Sequence, residues 1–112
     1  MKNFPDFTKN DKNKAMEEKE GMEGYIFDGA DGSQAVLWED VLGGEGSLHK
    51  HDYWEYFLVI KGNWDGFVGD KSIHLGPGDE YAVPPGVPHK GTHSPNYRSI
   101  DVFERKRFKR NK

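Results

Sequence analysis

An all-β barrel of jelly-roll type is the fold this sequence predicts, and three observations carry the prediction. About ten short stretches rich in aromatic and β-branched residues follow one another at close spacing. Glycine and proline, 20 of the 112 residues, fall between those stretches at turn positions and not in low-complexity runs. No stretch reads as a convincing core helix, so sheet must pack on sheet. At 112 residues and 12.8 kDa the chain makes one domain.

Taken in order, residues 1–20 are mostly charged or amide-bearing and read as an N-terminal arm that frays or forms a short helix, with an arm laid across a second subunit as the sharper alternative. Residues 21–104 form the barrel. Its first hairpin joins apolar stretches at 25–27 and 35–38 across a turn rich in Asp and Gly. Residues 56–60 make a strong strand that stops at Lys61-Gly62. Residues 64–68 and 71–75 pair around Gly69-Asp70, a two-residue loop suited to a tight hairpin. Residues 80–83 form the next strand and 96–103 the last. Residues 105–112 are a basic C-terminal tail.

Composition narrows the function classes. With no cysteine, a disulfide framework and a thiolate metal site are both impossible. The N-terminus carries no apolar signal region and no run approaches ~18 apolar residues, so the sequence reads as a cytoplasmic protein with no membrane partner. The net charge of −3 conceals a split: residues 1–103 hold 10 basic and 18 acidic residues, whereas residues 104–112 hold six basic residues and one acidic residue. Without a basic face carrying a binding module, no nucleic-acid partner is expected, and the tail reads as solvated or as a partner of the acidic body. An apolar fraction of 34% and a mean hydropathy of −0.92 give a small core. A homodimer through sheet faces or exchanged N-terminal strands would help to cover the remaining apolar surface.

The chemistry concentrates between Gly43 and Gly62. His49 and His51 are one residue apart in a segment that reads as extended, where side chains at i and i+2 share a face about 6.5 to 7 Å apart. Two imidazoles can then converge on one ion at about 2.0 to 2.1 Å. Glu55 would lie about 13 Å beyond His51 on an unbroken strand, so the chain must turn through residues 52–54 for the carboxylate to join them. His89 follows a run containing Pro84, Pro85, Gly86 and Pro88, a rigid turn that delivers its imidazole at a set angle. Three imidazoles and a carboxylate suit one divalent transition metal among Fe, Mn, Ni, Co, Cu and Zn, and leave coordination positions open.

These residues fit G-x5-H-x-H-x3-E-x6-G at Gly43, His49, His51, Glu55 and Gly62, and G-x5-P-x-G-x2-H at Gly78, Pro84, Gly86 and His89. The pair of patterns resembles the two motifs of the cupin superfamily. The resemblance implies a double-stranded β-helix, and it brings in dioxygenases, sugar isomerases and epimerases, and decarboxylases. At the last fixed position, where the family pattern has Asn, this chain has His93.

Around the ligands, Phe57 and Val59 share the parity of Glu55 and are expected as the floor beneath the metal. Tyr53, Trp54 and Trp64 suit either the barrel mouth or packing in the core or a dimer. His93 shares the parity of His89, which makes it a pocket residue and a possible catalytic group, with an outer position near Ser94-Pro95 as the alternative. His74 reads as an ordinary structural histidine. No additional base stands out. The functional expectation is a metal-binding protein acting on a small polar molecule, the metal serving as Lewis acid or redox centre. The alternative is a non-catalytic, metal-dependent module that binds or senses a small ligand.

Overall fold

The computed structural model describes residues 4–16 and 19–110. Residues 1–3 and 17–18 of the N-terminal arm, and residues 111–112 of the tail, lie outside the described residues. Where a short helix is expected in the arm, single 3-10 turns form at Asp6–Thr8 and Asp11–Asn13.

Nine strands occur among the described residues: β1 (Met22–Asp28), β2 (Gln34–Asp40), β3 (Gly44–Glu45), β4 (Glu55–Lys61), β5 (Trp64–Val68), β6 (Lys71–Leu75), β7 (Glu80–Val83), β8 (His89–His93) and β9 (Tyr97–Phe103). They form a five-stranded sheet in the order β1-β2-β9-β4-β7 and a four-stranded sheet in the order β3-β8-β5-β6. All pairings are antiparallel, and the sheets close into a jelly-roll barrel.

The departure from about ten strands lies in the segment from residue 46 to 54. His49 makes only an isolated bridge to His89, and His51 belongs to no strand, so the expected strand through both is corrected to an irregular loop. A regular strand would carry the chain away from Glu55, whereas a bent one returns it.

Period-two alternation sets the inner and outer faces. In β4, Glu55, Phe57 and Val59 are buried while Tyr56, Leu58 and Ile60 are half-buried on the other side. The core divides into Phe57, Val59, Trp64, Val68, Val83 and Tyr97 at one end, and Ala15, Ile26, Val36, Trp38 and Phe103 at the other. Gly91 on β8 shows how tight the packing is: a Cβ there would come within 2.1 Å of the Trp64 indole. The outer face of the larger sheet carries two apolar rows beside a charged one made by Glu23, Glu39, Arg98 and Lys61. One cross-strand row runs Tyr25, Leu37, Ile100, Leu58 and a second runs Phe27, Ala35, Val102, Tyr56.

The described parts of both terminal segments lie against this barrel. The Phe4 amide donates to Glu39 (3.1 Å), Lys9 pairs with Glu39 (2.9 Å), and the Ala15 amide donates to Gly24 O (2.8 Å). At the other end Gln34, 1% exposed, acts as a latch. Its Oε1 accepts from the backbone amides of Arg107 (3.1 Å) and Phe108 (2.9 Å), while its Nε2 donates to Phe108 O (3.1 Å) and Asp28 Oδ1 (3.0 Å). Phe108 then packs edge-on against Trp38 and Phe103, and Arg110 pairs with Asp28.

Replacing Gln34 by Ala strands buried backbone groups as well as removing bonds, and should lower unfolding free energy by about 2 kcal/mol. Denaturant unfolding measures this. A change within about 0.5 kcal/mol, the range of an ordinary surface substitution, would show that the latch does not hold the tail.

Candidate metal centre

Backbone hydrogen bonds bring the two histidine segments together. His49 and His89 exchange both main-chain bonds, N to O at 3.1 Å and 2.9 Å, and the Gly86 amide donates to His51 O at 2.7 Å. Gly86 has φ of +78°, a conformation glycine adopts without strain, so the proline-rich turn can aim that amide and still begin β8 at His89. Glu55 arrives from the start of β4, opposite Phe103 of β9.

His49, His51, Glu55 and His89 thereby converge, with one ligand atom from each lying within 4.8 Å of all the others. Glu55 Oε1 is 3.1 Å from His51 Nε2 and 3.2 Å from His89 Nε2. The Nδ1 atoms of His49 and His89 lie against the carbonyls of Ser47 (2.9 Å) and Val87 (3.0 Å). A carbonyl only accepts, so both Nδ1 atoms carry hydrogen; His49 Nε2 is then free for an ion, and His89 Nε2 can serve once the proton it shares with Glu55 is displaced. His51 Nε2 is buried without a hydrogen-bond partner. The Glu55 oxygen is near His51 Nε2 but makes no hydrogen bond with it, and a cation set among that nitrogen, the Nε2 atoms of His49 and His89 and the carboxylate would satisfy all four, so the residues fit a divalent metal.

Charge states follow from the same geometry. Burial lowers the pKa of His49 and His51, with the other imidazoles and Arg107 adding to the effect. Burial is the largest effect on His89 and would lower it too, but the bond to the Glu55 carboxylate, the Val87 carbonyl and the Glu55 charge together outweigh it and the pKa rises. Arg107 Nη1 lies 3.3 Å from His51 Nδ1. A guanidinium only donates, so that contact puts the His51 proton on Nε2, whereas metal ligation through Nε2 needs it on Nδ1. The two arrangements exclude one another.

The cluster opens on a cavity of about 390 Å³ whose walls include Phe57, Trp64, His93, Tyr97, Asp101 and Arg107. Asp101 and Arg107 were not singled out in the sequence. The available signal was the alternation Tyr97, Ser99, Asp101, Phe103, which places two polar side chains on the inner face of a central strand. Asp101 is a further titratable group in the cavity that the sequence did not disclose. Burial and the nearby Glu55 charge raise its pKa well above the usual carboxylate range, partly offset by the Ser99 hydroxyl, which donates at 2.7 Å. His93 also lines this cavity and is not on the outer face.

Tyr53 stacks on His51 at 4.5 Å and 10°. Phe57 and Trp64 contact one another at the cavity wall, and Val59 lies fully buried in the adjoining core. Trp54 is 47% exposed, and His74 is exposed and bonded to Asp65 at 2.8 Å. A separate cleft of about 520 Å³ lies beneath the arm, where Lys9 and Lys14 are already paired with Glu39 and Glu23.

These charge states predict the pH response of the metal-free protein. His89 keeps its proton to higher pH folded than unfolded, so its pair with Glu55 contributes stability below the ordinary histidine range. That contribution is lost as pH rises through the folded midpoint of His89. His49 and His51 are shifted downward and act oppositely, their contribution being lost as pH falls through their folded midpoints. Imidazole NMR titration should therefore place His89 above both, and Glu55→Gln should move His89 down. An unmoved His89 midpoint in that variant would refute the electrostatic account.

No curated protein sequence matches the chain. The structure resembles KdgF from Halomonas sp. (22% identity, TM-score 0.74, covering 83% of this chain and 86% of that one). It also resembles an RmlC-like cupin from Shewanella frigidimarina (23%, 0.73, 92% and 93%). A third likeness is to oxalate decarboxylase from Bacillus subtilis, a protein with Mn(II) centres (20%, 0.70, 88% of this chain but 29% of that one). At these identities the likeness concerns the fold. The sequence profile described as Cupin domain matches residues 36–95, more than half of the chain and both histidine segments, and the chain belongs to the cupin family.

Proposed function

We propose that this cupin is a metal-dependent enzyme that moves protons on a small, polar, negatively charged molecule, as in an isomerisation or epimerisation. The observation carrying this reading is the joining of three groups in one cavity: the His49, His51, Glu55 and His89 cluster, the Asp101 carboxyl whose pKa burial raises, and a guanidinium. Sites of acid-base chemistry are marked by this kind of environment-shifted carboxyl beside a fixed cation.

A divalent transition metal in the cluster supplies Lewis-acid polarisation of an oxygen on the bound molecule. Manganese, present in the distantly similar oxalate decarboxylase, belongs to the range this ligand set accepts. Arg107 supplies the charge that orients an anionic group, since a guanidinium offers paired donors to a carboxylate or phosphate. Because ligation by His51 requires Arg107 to leave Nδ1, loading of the cluster frees that guanidinium for the ligand. Asp101 holds or accepts the proton that moves. Phe57, Trp64 and Phe103 give the cavity apolar walls that limit water around the charged groups.

Metal analysis of protein purified without added metal or chelator tests the first half of the reading, with one ion per chain expected and loss of most loading in His51→Ala. Full loading of that variant would remove His51 from the ligand set. Deuterium incorporation into a panel of small hydroxy and keto acids tests the second half. Asp101→Asn should keep its metal and slow exchange by roughly 10² to 10⁴-fold. Exchange at the wild-type rate would rule out the assigned role of Asp101.

The same reading gives the chain a second copy of itself as partner. The apolar outer rows through Leu37, Ile100 and Leu58 and through Phe27, Val102 and Tyr56 are the surface that association through sheet faces would cover. Light scattering across a dilution series should show a dimer, with Ile100→Glu shifting it to monomer. A wild-type monomer at every concentration would dispose of this partner.

A further inference from the structure

His93 stands where the family pattern has Asn, and the structure gives it a fixed partner that an ordinary pocket residue lacks. Its Nδ1 lies 2.9 Å from Oδ2 of Asp40, a fully buried carboxylate on β2. The other Asp40 oxygen accepts from the Gly43 amide at 2.9 Å, and Lys19 Nζ sits 2.9 Å from Oδ2 while donating to Gly43 O. The imidazole is stacked on Tyr97 at 3.9 Å and 9°, so its plane is set as well as its edge. With Nδ1 taken, Nε2 is the remaining ring nitrogen, and it has no hydrogen-bond partner among the described residues. His93 lines the metal-cluster cavity with 19% of its side chain accessible.

We propose that His93 is a proton-exchanging residue of the cavity, presenting Nε2 as the reacting atom, and that Asp40 is the positioning residue that keeps the other ring proton on Nδ1. The proposal rests on the reading above in one respect, that the molecule served by Nε2 is the one occupying that cavity. A carboxylate can only accept, so Asp40 selects the Nδ1–H tautomer and leaves the Nε2 lone pair toward the cavity. Nε2 takes a proton from a C–H or O–H of the bound molecule and returns it to that molecule, while the proton on Nδ1 stays in place and Asp40 stabilises the imidazolium.

The surroundings suit a base at neutral pH. Burial lowers the His93 pKa, Asp40 opposes that shift, and Lys19 adds slightly to it. Facing the ring are Asp40 from β2, Tyr97 from β9 and Lys19 from the arm. Gly44 of β3 and Trp64 of β5, its strand neighbours, bring no charge. Further along those strands Glu45 is tied to Lys90, and Asp65 to His74. The remaining cavity charges are Glu55, Asp101 and Arg107, with the imidazoles of His49 and His89.

The test uses the full chain loaded with zinc, so that the cluster imidazoles are occupied, and diethylpyrocarbonate as a small electrophile for free imidazole nitrogen. Long-range nitrogen–proton NMR should show His93 as the Nδ1–H tautomer, and mass spectrometry should show it carbethoxylated at a rate that rises with pH through its own midpoint. In Asp40→Asn combined with Lys19→Met, which removes the second donor on that oxygen, the Gly43 amide retains the side-chain oxygen, which turns the amide nitrogen toward His93 Nδ1 and favours the opposite tautomer. Modification should then slow by at least about tenfold, the direction expected when a dyad carboxylate becomes an amide. An Nε2–H tautomer in the wild type, an unreactive His93, or equal rates in the two proteins would overturn the proposal. Should the double variant not fold, the wild-type tautomer decides alone. Zinc lost with His93 behaving as described defeats the metal reading only, whereas zinc held with His93 in the wrong tautomer defeats this inference only.

Discussion

The site depends on one closed backbone pair. His49 and His89 are 40 positions apart, yet they exchange both main-chain hydrogen bonds, which sets them directly opposite one another with their side chains on one side. The Gly86 to His51 bond fixes the next residue but one, so two connections determine the relative positions of three imidazoles. Side-chain contacts alone would not give this precision, because each histidine has two free torsions and the imidazoles repel one another once protonated. The Ser47 and Val87 carbonyls settle the ring orientation afterward, and they act as second-layer partners of metal-bound histidines do, by holding Nδ1–H.

That arrangement explains why the convergence of these four residues was legible in the sequence and the strand assignment of two of them was not. Residue types and spacing specify four donors and a bend before Glu55, and those survive any local conformation that closes the pair. The expectation of a strand through His49 and His51 relied on their separation by one residue, which is necessary for a shared face but does not require a ladder. Asp101 and Arg107 were illegible for a different reason. β9 lies between β2 and β4, and only that long-range order sets Asp101 opposite Phe57 and close to Glu55. Nothing local to residues 97–103 records which strands flank them.

His93 shows the same limit with a partial signal. Its parity with His89 pointed to the interior, but Asp40 is 53 positions away, and its role is visible only once β2 is placed beside the turn that carries Gly43. A buried aspartate at the end of a strand is costly unless its oxygens are filled, and here three donors fill them: His93, Lys19 and the Gly43 amide. The demand of Asp40 for donors and the need of His93 for a fixed tautomer are thus met by one arrangement.

The basic tail illustrates how magnitude separates two explanations of the same placement. An acidic body and a cationic tail attract one another, and charge patterning alone allows either a solvated tail or a docked one. Partly exposed pairs such as Arg110 with Asp28 contribute about 0 to 1 kcal/mol each and weaken in salt. The backbone bonds to Gln34 contribute about 1 kcal/mol each, and burying part of Phe108 against Trp38 and Phe103 contributes a comparable amount. The apolar and amide contacts therefore outweigh the ion pair, and they also supply direction, which diffuse attraction does not. Salt screens the charge contribution and leaves the latch in place, so Arg107 is held at the cavity wall chiefly by the neutral residues on either side of the charge: Gln34, which binds its backbone, and Phe108, which follows it.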